Sequence, residues 1–489
     1  MIKKVALIEP HTDIPNIYSS FVSQRMGLPI MGNILKKHGY EVDIYNDKIR
    51  KPKIKELLDY DIIGISSLTN TAPIAYKYAD TLKKHNKIIV LGGPHATFCT
   101  EEGLLHADYV VRKEGEETFP ELIDALNNNK PLEHIKGLSF RENGGFIHNE
   151  DREFKEDYLK HAPDYSLVKG LENAKKGFLS KYTYFQGTYT SRGCPYNCRY
   201  CTVIKIAGRQ MRYRDLDDCI EDIRCCIKDV SILKTVGIGD DNFTVNMPRA
   251  KEFLTKIINA NFPENIGFTM QLKIDAFKDD EFLSLLEKAR FRIVHLGYES
   301  INEKTLNNWN KSQSFEDIQF TIEKAKQFNL KINGMFVVGS DCDTVETIDK
   351  TVDFAIDSGI TTMQMWILTP LPGSDIYKEI HGEGRIFNTN WKYYDCQHSL
   401  FFPKLIKPSA LQGALVRANK KFYTFKRMFY NAIGTRITYG TNAHLMNRAL
   451  SDYERRLKKF EDKFYTKDGL LITEKLLENN PEEFAKFLY

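Results

Sequence analysis

From residue 4 to about 127, short β-branched runs alternate with stretches of helical periodicity. The runs are KVALIEP, EVDIYN, DIIGISS, KIIVLGG and YVVRKE. Five strands with helices between them predict a doubly wound parallel sheet in an α/β fold. The alternation resumes at residue 184 with TYFQGTYTS, KTVGIGDD, IGFTMQLKI, RIVHLGYES, KINGMFVVGS and TTMQMWILTP, each but the last followed by a helix-length pattern. Six strands of this kind predict a partial (β/α)6 barrel, short of the full eight. Residues 136–183 are mixed and charged and read as a connector. Beyond residue 400, LQGALVRANKKFYTFKRMFYNAIGTRI and RALSDYERRLKKFEDKF read as amphipathic helices, expected to cap the barrel. The expected domains are 1–135, 136–183, 184–400 and 401–489.

Composition narrows the class. Hydrophobic residues make up 42% and charged residues 27% of the 489, values of a folded globular chain and too apolar for a disordered one. Lys+Arg 69 against Asp+Glu 65 leaves a net charge of +4, which argues against a nucleic-acid partner or a polybasic membrane surface. No stretch reaches the roughly 18 uncharged apolar residues of a transmembrane helix, and the opening MIKKVALIEP is too short for a signal peptide. Nine cysteines scattered through a large chain suggest reduced thiols and a cytoplasmic location.

Candidate chemistry collects at strand ends. In doubly wound sheets ligands sit beyond the strand C-termini, and there this chain carries Ser66, Ser67 and Thr69, then Gly92, Gly93 and His95, then Glu114, Gly115 and Glu116. No G-x-G-x-x-G follows the first strand and no phosphate-binding G-x-x-x-x-G-K-[ST] occurs, so nicotinamide, flavin and ATP lack their usual sequence support. The barrel strands end in Asp240 and Asp241, Gln271 and Lys273, Glu299 and Ser300, Gly339 and Ser340, then Thr369 to Gly373. Active sites of barrels lie at that face. Cys194, Cys198 and Cys201 follow the first barrel strand within one loop. A structural zinc normally takes four protein ligands, whereas three thiolates on a 4Fe–4S cluster leave one iron open, which favours the cluster. Cys99, Cys219, Cys225, Cys226, Cys342 and Cys396 show no spacing for a second cluster and are expected to be small buried apolar residues.

The C-x3-C-x2-C loop, with Tyr200 before its last cysteine, resembles the radical S-adenosylmethionine (SAM) superfamily, and so does the barrel. That resemblance implies that the open iron binds SAM and that the reduced cluster cleaves it to methionine and a 5′-deoxyadenosyl radical. It further implies that Tyr200 contacts adenine, that one of Asp240 and Asp241 faces the SAM amino group, that Glu299 and Ser300 in GYES meet the ribose, and that Lys311 and Gly339 lie near the cofactor. GGPHATF followed by RKEGEETFPEL is similar to the cobalamin-binding subgroup, whose doubly wound domain precedes the barrel; the stretch from TPLPGS onward resembles the subgroup that includes hopanoid methylases. The motif D-x-H-x-x-G, which places an imidazole under cobalt, is missing; His11 and His95 are the nearest candidates, and cobalamin is expected to bind without histidine ligation. The implied activity is methyl transfer to an unactivated carbon, with one SAM methylating the cobalt and a second supplying the radical. A cyclase or rearrangement enzyme of the same architecture and a non-catalytic cobalamin or cluster sensor are the rivals. The resemblance also implies an electron donor such as flavodoxin or ferredoxin. The substrate stays open among lipid, peptide and small natural product.

Overall fold

The structure, a computed structural model, describes residues 1–14, 22–176, 183–228, 234–424, 427 and 436–464. Its strands, in chain order, are β1 (Lys4–Glu9), β2 (Val22–Gln24), β3 (Glu41–Asn46), β4 (Ile62–Ser66), β5 (Ile88–Gly92), β6 (Tyr109–Val111), β7 (Leu138–Glu142) and β8 (Gly145–His148). They continue as β9 (Thr183–Thr188), β10 (Ser191–Arg192), β11 (Arg212–Tyr213), β12 (Lys234–Ile238), β13 (Ile266–Leu272), β14 (Phe291–Glu299), β15 (Lys331–Val338) and β16 (Thr362–Ile367).

The first sheet runs β3-β1-β4-β5-β6-β7-β8. Its first five strands are parallel, as their apolar runs predict, because strands covered by helices on both faces bury nearly every side chain. Chain order reverses between β1 and β4, so the crevice at their C-terminal ends is where such sheets accept ligands. The connector departs from expectation. Leu138–Glu142 and Gly145–His148 form an antiparallel hairpin that extends this sheet from β6. A single hairpin with a solvated outer strand carries little apolar periodicity, which is why it was not legible.

The second sheet runs β16-β15-β14-β13-β12-β9-β2 and is parallel throughout. The six predicted barrel strands are all present. Added to them is β2, which leaves the first unit between β1 and its first helix and pairs with β9 in the register Val22↔Thr183, Gln24↔Phe185. Gln24 is buried, and its side-chain amide donates to Glu9 Oε2 at 3.2 Å and accepts from Asn46 Nδ2 at 3.2 Å, tying this strand back to the ends of β1 and β3. The two units therefore share backbone hydrogen bonds.

Helices of the barrel start where the sequence supplies caps. Ser314 and Asp317 form a reciprocal capping box, Thr344 accepts from Thr347 N, and Asp279 accepts from Phe282 N. Each such cap contributes roughly 1 kcal/mol. Met247–Asn259 buries Ala250, Phe253, Leu254 and Ile257, one stripe at helical spacing, against β12 and β13 residues such as Ile238, Phe268 and Met270. An eight-residue helix, Asp375–Gly382, follows the last strand as well. Pro408–Phe422 lays Leu411, Ala414, Leu415 and Phe422 into the same barrel core, together with Met446 and Leu450 of the long helix Arg436–Phe464. The expected capping role thus holds for Pro408–Phe422. The remainder of the first predicted C-terminal helix lies largely outside the described residues. Among those described, no helix is long and apolar enough to cross a membrane.

Candidate functional site

All three motif cysteines are partly exposed free thiols on one loop between β10 and β11. Backbone bonds shape this loop: Cys194 N donates to Gly208 O at 3.2 Å and Cys201 N to Cys198 O at 3.0 Å. Arg199 anchors it between two helices, donating to Asn308 O at 3.0 Å, to Asn308 Oδ1 at 2.7 Å and to Glu379. Lys273 Nζ sits 3.6 Å above the Tyr196 ring, and the Tyr200 ring packs edge-on against Trp309 at 5.4 Å. Burial raises the Cys198 thiol and pushes Cys201 up to about 11, so the positive charge of a metal centre is what would hold them as thiolates. Three sulfurs on one short loop, with no fourth thiol in the motif, suit a cluster with one open iron. The other cysteines differ from one another. Cys219 and Cys226 are buried and Cys99, Cys342 and Cys396 are half-buried, but Cys225 is exposed, because it lies on the outer face of the helix Leu216–Ile227.

The two aspartates after β12 have separate roles. Asp240 is fully engaged: Oδ1 accepts from Thr190 N at 2.5 Å, and Oδ2 from Thr190 Oγ1 at 2.6 Å and Ser191 Oγ at 2.7 Å. Asp241 lines a cavity instead. Burial and the neighbouring Asp240 push its carboxyl up to about 6, opposed by Arg192.

Glu299 ends β14 in the left-handed region, at φ 61, and accepts from Lys311 Nζ at 2.9 Å. Gly297, two residues earlier, leaves room for this pair: a Cβ there would lie 2.6 Å from Glu299 Oε1 and 3.2 Å from Lys311 Nζ, so both side-chain ends would have to shift. Strain in a non-glycine residue at a strand end is a mark of functional sites. Ser300 is buried, its hydroxyl accepting from Asn302 N at 3.0 Å. Gly339 and Ser340 donate their backbone N–H groups to Asp343 Oδ2, both at 3.0 Å.

In the first unit, Gly93 follows β5 at φ +87, and a Cβ there would lie 2.8 Å from Ser67 O and 3.0 Å from Ser66 Oγ. Gly93 thus lets the start of the next helix lie against the Ser66–Ser67 backbone, and among the described residues Ser67 Oγ beside it is buried without a partner. Thr69 starts a short turn of helix at the same edge. His95 is wholly buried behind this loop, with Nε2 3.0 Å from the Tyr76 hydroxyl and its ring edge-on to Trp391 at 5.1 Å, while His11 Nδ1 lies 2.9 Å from Thr12 O. Gly115 sits close enough to Val111 Cγ1 that a Cβ would approach within 3.0 Å. Glu114 and Glu116 are held by Arg192, and Glu114 also by Arg212.

A cavity of about 300 Å³ lies between the units, lined by Glu9, Arg25, Ser66 and Glu114 from one and by Tyr189, Ser191, Arg192, Gly239 and Asp241 from the other. A second, of about 890 Å³, is lined by Phe98, Cys99, Lys113, Lys205, Gly373 and Trp391. Of the strand-end residues named from the sequence, Ser66, Glu114 and Asp241 meet in the first cavity and Gly373 lines the second. Glu9, Arg25, Arg192 and Arg212 were not anticipated. A lone charge in a strand gives no sign of which distant carboxylate it will meet.

Comparison with known proteins agrees with this arrangement. Residues 16–123 match the B12 binding domain and residues 188–355 the Radical SAM superfamily. The bacteriochlorophyllide d C-8(2)-methyltransferase of Chlorobaculum tepidum is 28% identical over 77% of this chain and 80% of its own. The anaerobic magnesium-protoporphyrin IX monomethyl ester cyclase of Cereibacter sphaeroides is 24% identical over 81% of this chain and 66% of its own. Among solved structures, the cobalamin-dependent SAM radical enzyme OxsB, with aqua-cobalamin and SAM bound, superposes with a TM-score of 0.69 at 16% identity, over 94% of this chain and 72% of its own. With a B12 binding domain ahead of a Radical SAM domain and the cysteine loop at their junction, the chain belongs to the cobalamin-binding radical SAM enzymes, whose cofactors are a 4Fe–4S cluster, SAM and cobalamin.

Proposed function

We propose that this enzyme transfers a methyl group to an unactivated carbon of a substrate held in the cavity between its two units. The observation that carries this reading is that junction: Ser66 and Glu114 from the cobalamin-binding unit and Asp241 from the barrel line one space. When bound, the cluster and SAM supply a 5′-deoxyadenosyl radical and cobalamin carries the methyl group. Cys194, Cys198 and Cys201 hold the cluster. Asp241 takes the SAM amino group, because Asp240 has no free lone pair toward the cavity. Glu299 and Ser300 face the ribose, with Lys311 fixing the carboxylate, while Tyr200 and Gly339 border the adenosyl group. Ser66, Ser67, Thr69, Gly92 and Gly93 form the cobalamin-facing edge, with His95 supporting it from behind and Glu114, Gly115 and Glu116 turning the adjacent loop.

An electron donor of the flavodoxin or ferredoxin type and a reducing cytoplasm fit the open-iron cluster that Cys194, Cys198 and Cys201 would hold. A tetrapyrrole is the first substrate to assay, since both relatives above act on one by name. With methyl-deuterated SAM, the methyltransferase reading expects labelled product together with S-adenosylhomocysteine and 5′-deoxyadenosine in roughly equal amounts. Unlabelled product with 5′-deoxyadenosine alone would establish the cyclase reading, which the second relative's name favours.

A further inference from the structure

The loop after β6 in the cobalamin-binding unit is keyed into the barrel by four charged side chains. Arg192 and Arg212 stand directly opposite each other in the β10–β11 pair, an arrangement of like charges that repels when left alone. Glu114 enters between them. Its two oxygens accept from Arg212 NH1 and NH2, both at 2.8 Å, and Oε1 also accepts from Arg192 NH1 at 2.9 Å. Glu116 Oε1 accepts from Arg192 NH1 at 2.7 Å. The side chains are nearly dry: Arg212 is 2% exposed, Glu114 8%, Glu116 9% and Arg192 18%. Arg212 is pinned further by Ala207 O at 2.9 Å and Lys155 O at 3.0 Å. Buried ion networks of this kind contribute little net stability compared with apolar packing, but their bidentate geometry fixes direction and distance closely.

We infer that Glu114, Glu116, Arg192 and Arg212 form a clamp that positions the cobalamin-bearing loop against the cluster-bearing loop, and that this clamp governs methyl transfer and not radical formation. Arg192 is two residues before Cys194, while Glu114 and Glu116 lie three and five residues beyond Val111, the end of β6. The clamp therefore joins the two cofactor-bearing segments by the shortest covalent route on either side. Radical formation needs only the barrel's own geometry. Methyl transfer needs the cobalamin face, the radical carbon and the methyl donor aligned, and a misplacement of about 1 Å can cost roughly 100-fold in such a step. The inference rests on the methyltransferase reading.

Its test uses the cofactor-loaded enzyme with Glu116→Gln, Arg192→Met and Arg192→Lys. Glu116→Gln should form 5′-deoxyadenosine within about twofold of the parent, with unchanged KM for SAM, while methylated product falls at least about tenfold; Arg192→Met, which also removes the charge beside Asp241, is read by the ratio of methylated product to 5′-deoxyadenosine, which should fall at least about tenfold. Arg192→Lys, which keeps the charge, should recover part of the coupling. Electron paramagnetic resonance of the cob(II)alamin and reduced-cluster spins, a readout independent of turnover, should show a narrow distribution of spin–spin interaction in the parent and a broadened one in the first two variants. Hydrogen exchange of the cofactor-free chain at residues 109–117 and 189–193 should rise in both. A parallel fall of 5′-deoxyadenosine and product, or an unchanged ratio with an unchanged spin–spin distribution, overturns the clamp. Parent enzyme that never labels its product overturns the methyltransferase reading instead, and the spin–spin distribution still decides the clamp. Should Glu116→Gln not fold, the comparison of Arg192→Lys with Arg192→Met carries the test.

Discussion

Asp240 and Asp241 are adjacent carboxylates that the sequence could not tell apart, and the structure separates them by what each touches. Replacing Asp240 with alanine removes the acceptor for one backbone N–H and two hydroxyls, all inside the barrel. An unsatisfied buried polar group costs about 1–3 kcal/mol. The amide of Thr190 loses its acceptor and bears the full amount, while the hydroxyls of Thr190 and Ser191 can turn and recover part of theirs. The sum, with the small cavity left behind, is about 3–5 kcal/mol. Among the described residues Asp241 accepts no hydrogen bond, and burial beside a like charge holds its carboxyl up to about 6, so near neutral pH Asp241→Ala relieves an unfavourable charge and should stabilise the fold by roughly 1–3 kcal/mol. Urea unfolding of the cofactor-free chain measures both, and tryptophan fluorescence is a clean signal because all three tryptophans, Trp309, Trp366 and Trp391, fall in the barrel half of the chain. Asp240→Ala should unfold at distinctly lower urea and also retain less iron after reconstitution, since Thr190 and Ser191 lead directly into Cys194. Asp241→Ala should unfold at or above the parent's midpoint and keep its iron but bind SAM at least about tenfold more weakly, the worth of one charge-assisted bond. Equal loss of stability in the two variants, or a parent-like midpoint for Asp240→Ala, would refute the division of roles.

Replacing Cys194, Cys198 and Cys201 together with alanine should remove essentially all cluster iron, whereas Cys225→Ala and Cys226→Ala should leave the Mössbauer spectrum unchanged. Glu299→Gln should slow 5′-deoxyadenosine formation about 10–100-fold, equivalent to roughly 1.5–3 kcal/mol for weakened charge-assisted bonds to ribose and Lys311, with iron content unaltered; parent-like SAM affinity and cleavage would make this residue purely structural. Gly93→Val should abolish retention of corrinoid through desalting, read by its visible spectrum, because the Cβ would strike Ser67 O and Ser66 Oγ; iron loading of the barrel should persist. His295, whose ring Nδ1 lies 2.9 Å from Asn333 Nδ2, has its pKa lowered to about 4 by burial. Between pH 6.5 and 4 the unfolded chain therefore binds a proton that the folded one refuses, so this group's share of stability falls as pH drops through that window, by roughly 1–3 kcal/mol after allowing for its partial exposure. His295→Gln should flatten that part of the stability profile relative to the parent, and superimposable profiles would sink the assignment.

The five parallel strands of the first sheet and the six barrel strands of the second were legible because each is a local apolar run bounded by turns, and a parallel sheet covered by helices leaves that run almost uninterrupted. The cysteine loop was legible for a similar reason: metal chemistry demands three sulfurs within reach of one loop, and their spacing is a property of the chain alone. Helix starts at Ser314, Thr344 and Asp279 are local as well. What the chain order withheld is every relation between distant segments. That Val22–Gln24 would cross to the barrel and pair with β9 depends on backbone groups some 160 residues apart meeting in register, and three residues carry no pattern that announces it. The same holds for charge. Glu114 and Glu116 stand at a strand end where a ligand-facing role is the natural expectation, yet folding delivers Arg192 and Arg212 to them from 76 to 98 positions away. Adjacent Asp240 and Asp241 alternate direction at the end of a strand, so one turns inward to Thr190 and the other outward to the cavity, and only the packed strand β9–β10 decides which. The sequence alone determined the elements, the spacing of the cysteine loop and the family they resemble; the tertiary structure decided which charges face cofactor space and which are consumed in holding the two units together, because an ion pair is a property of a place and not of a position in the chain.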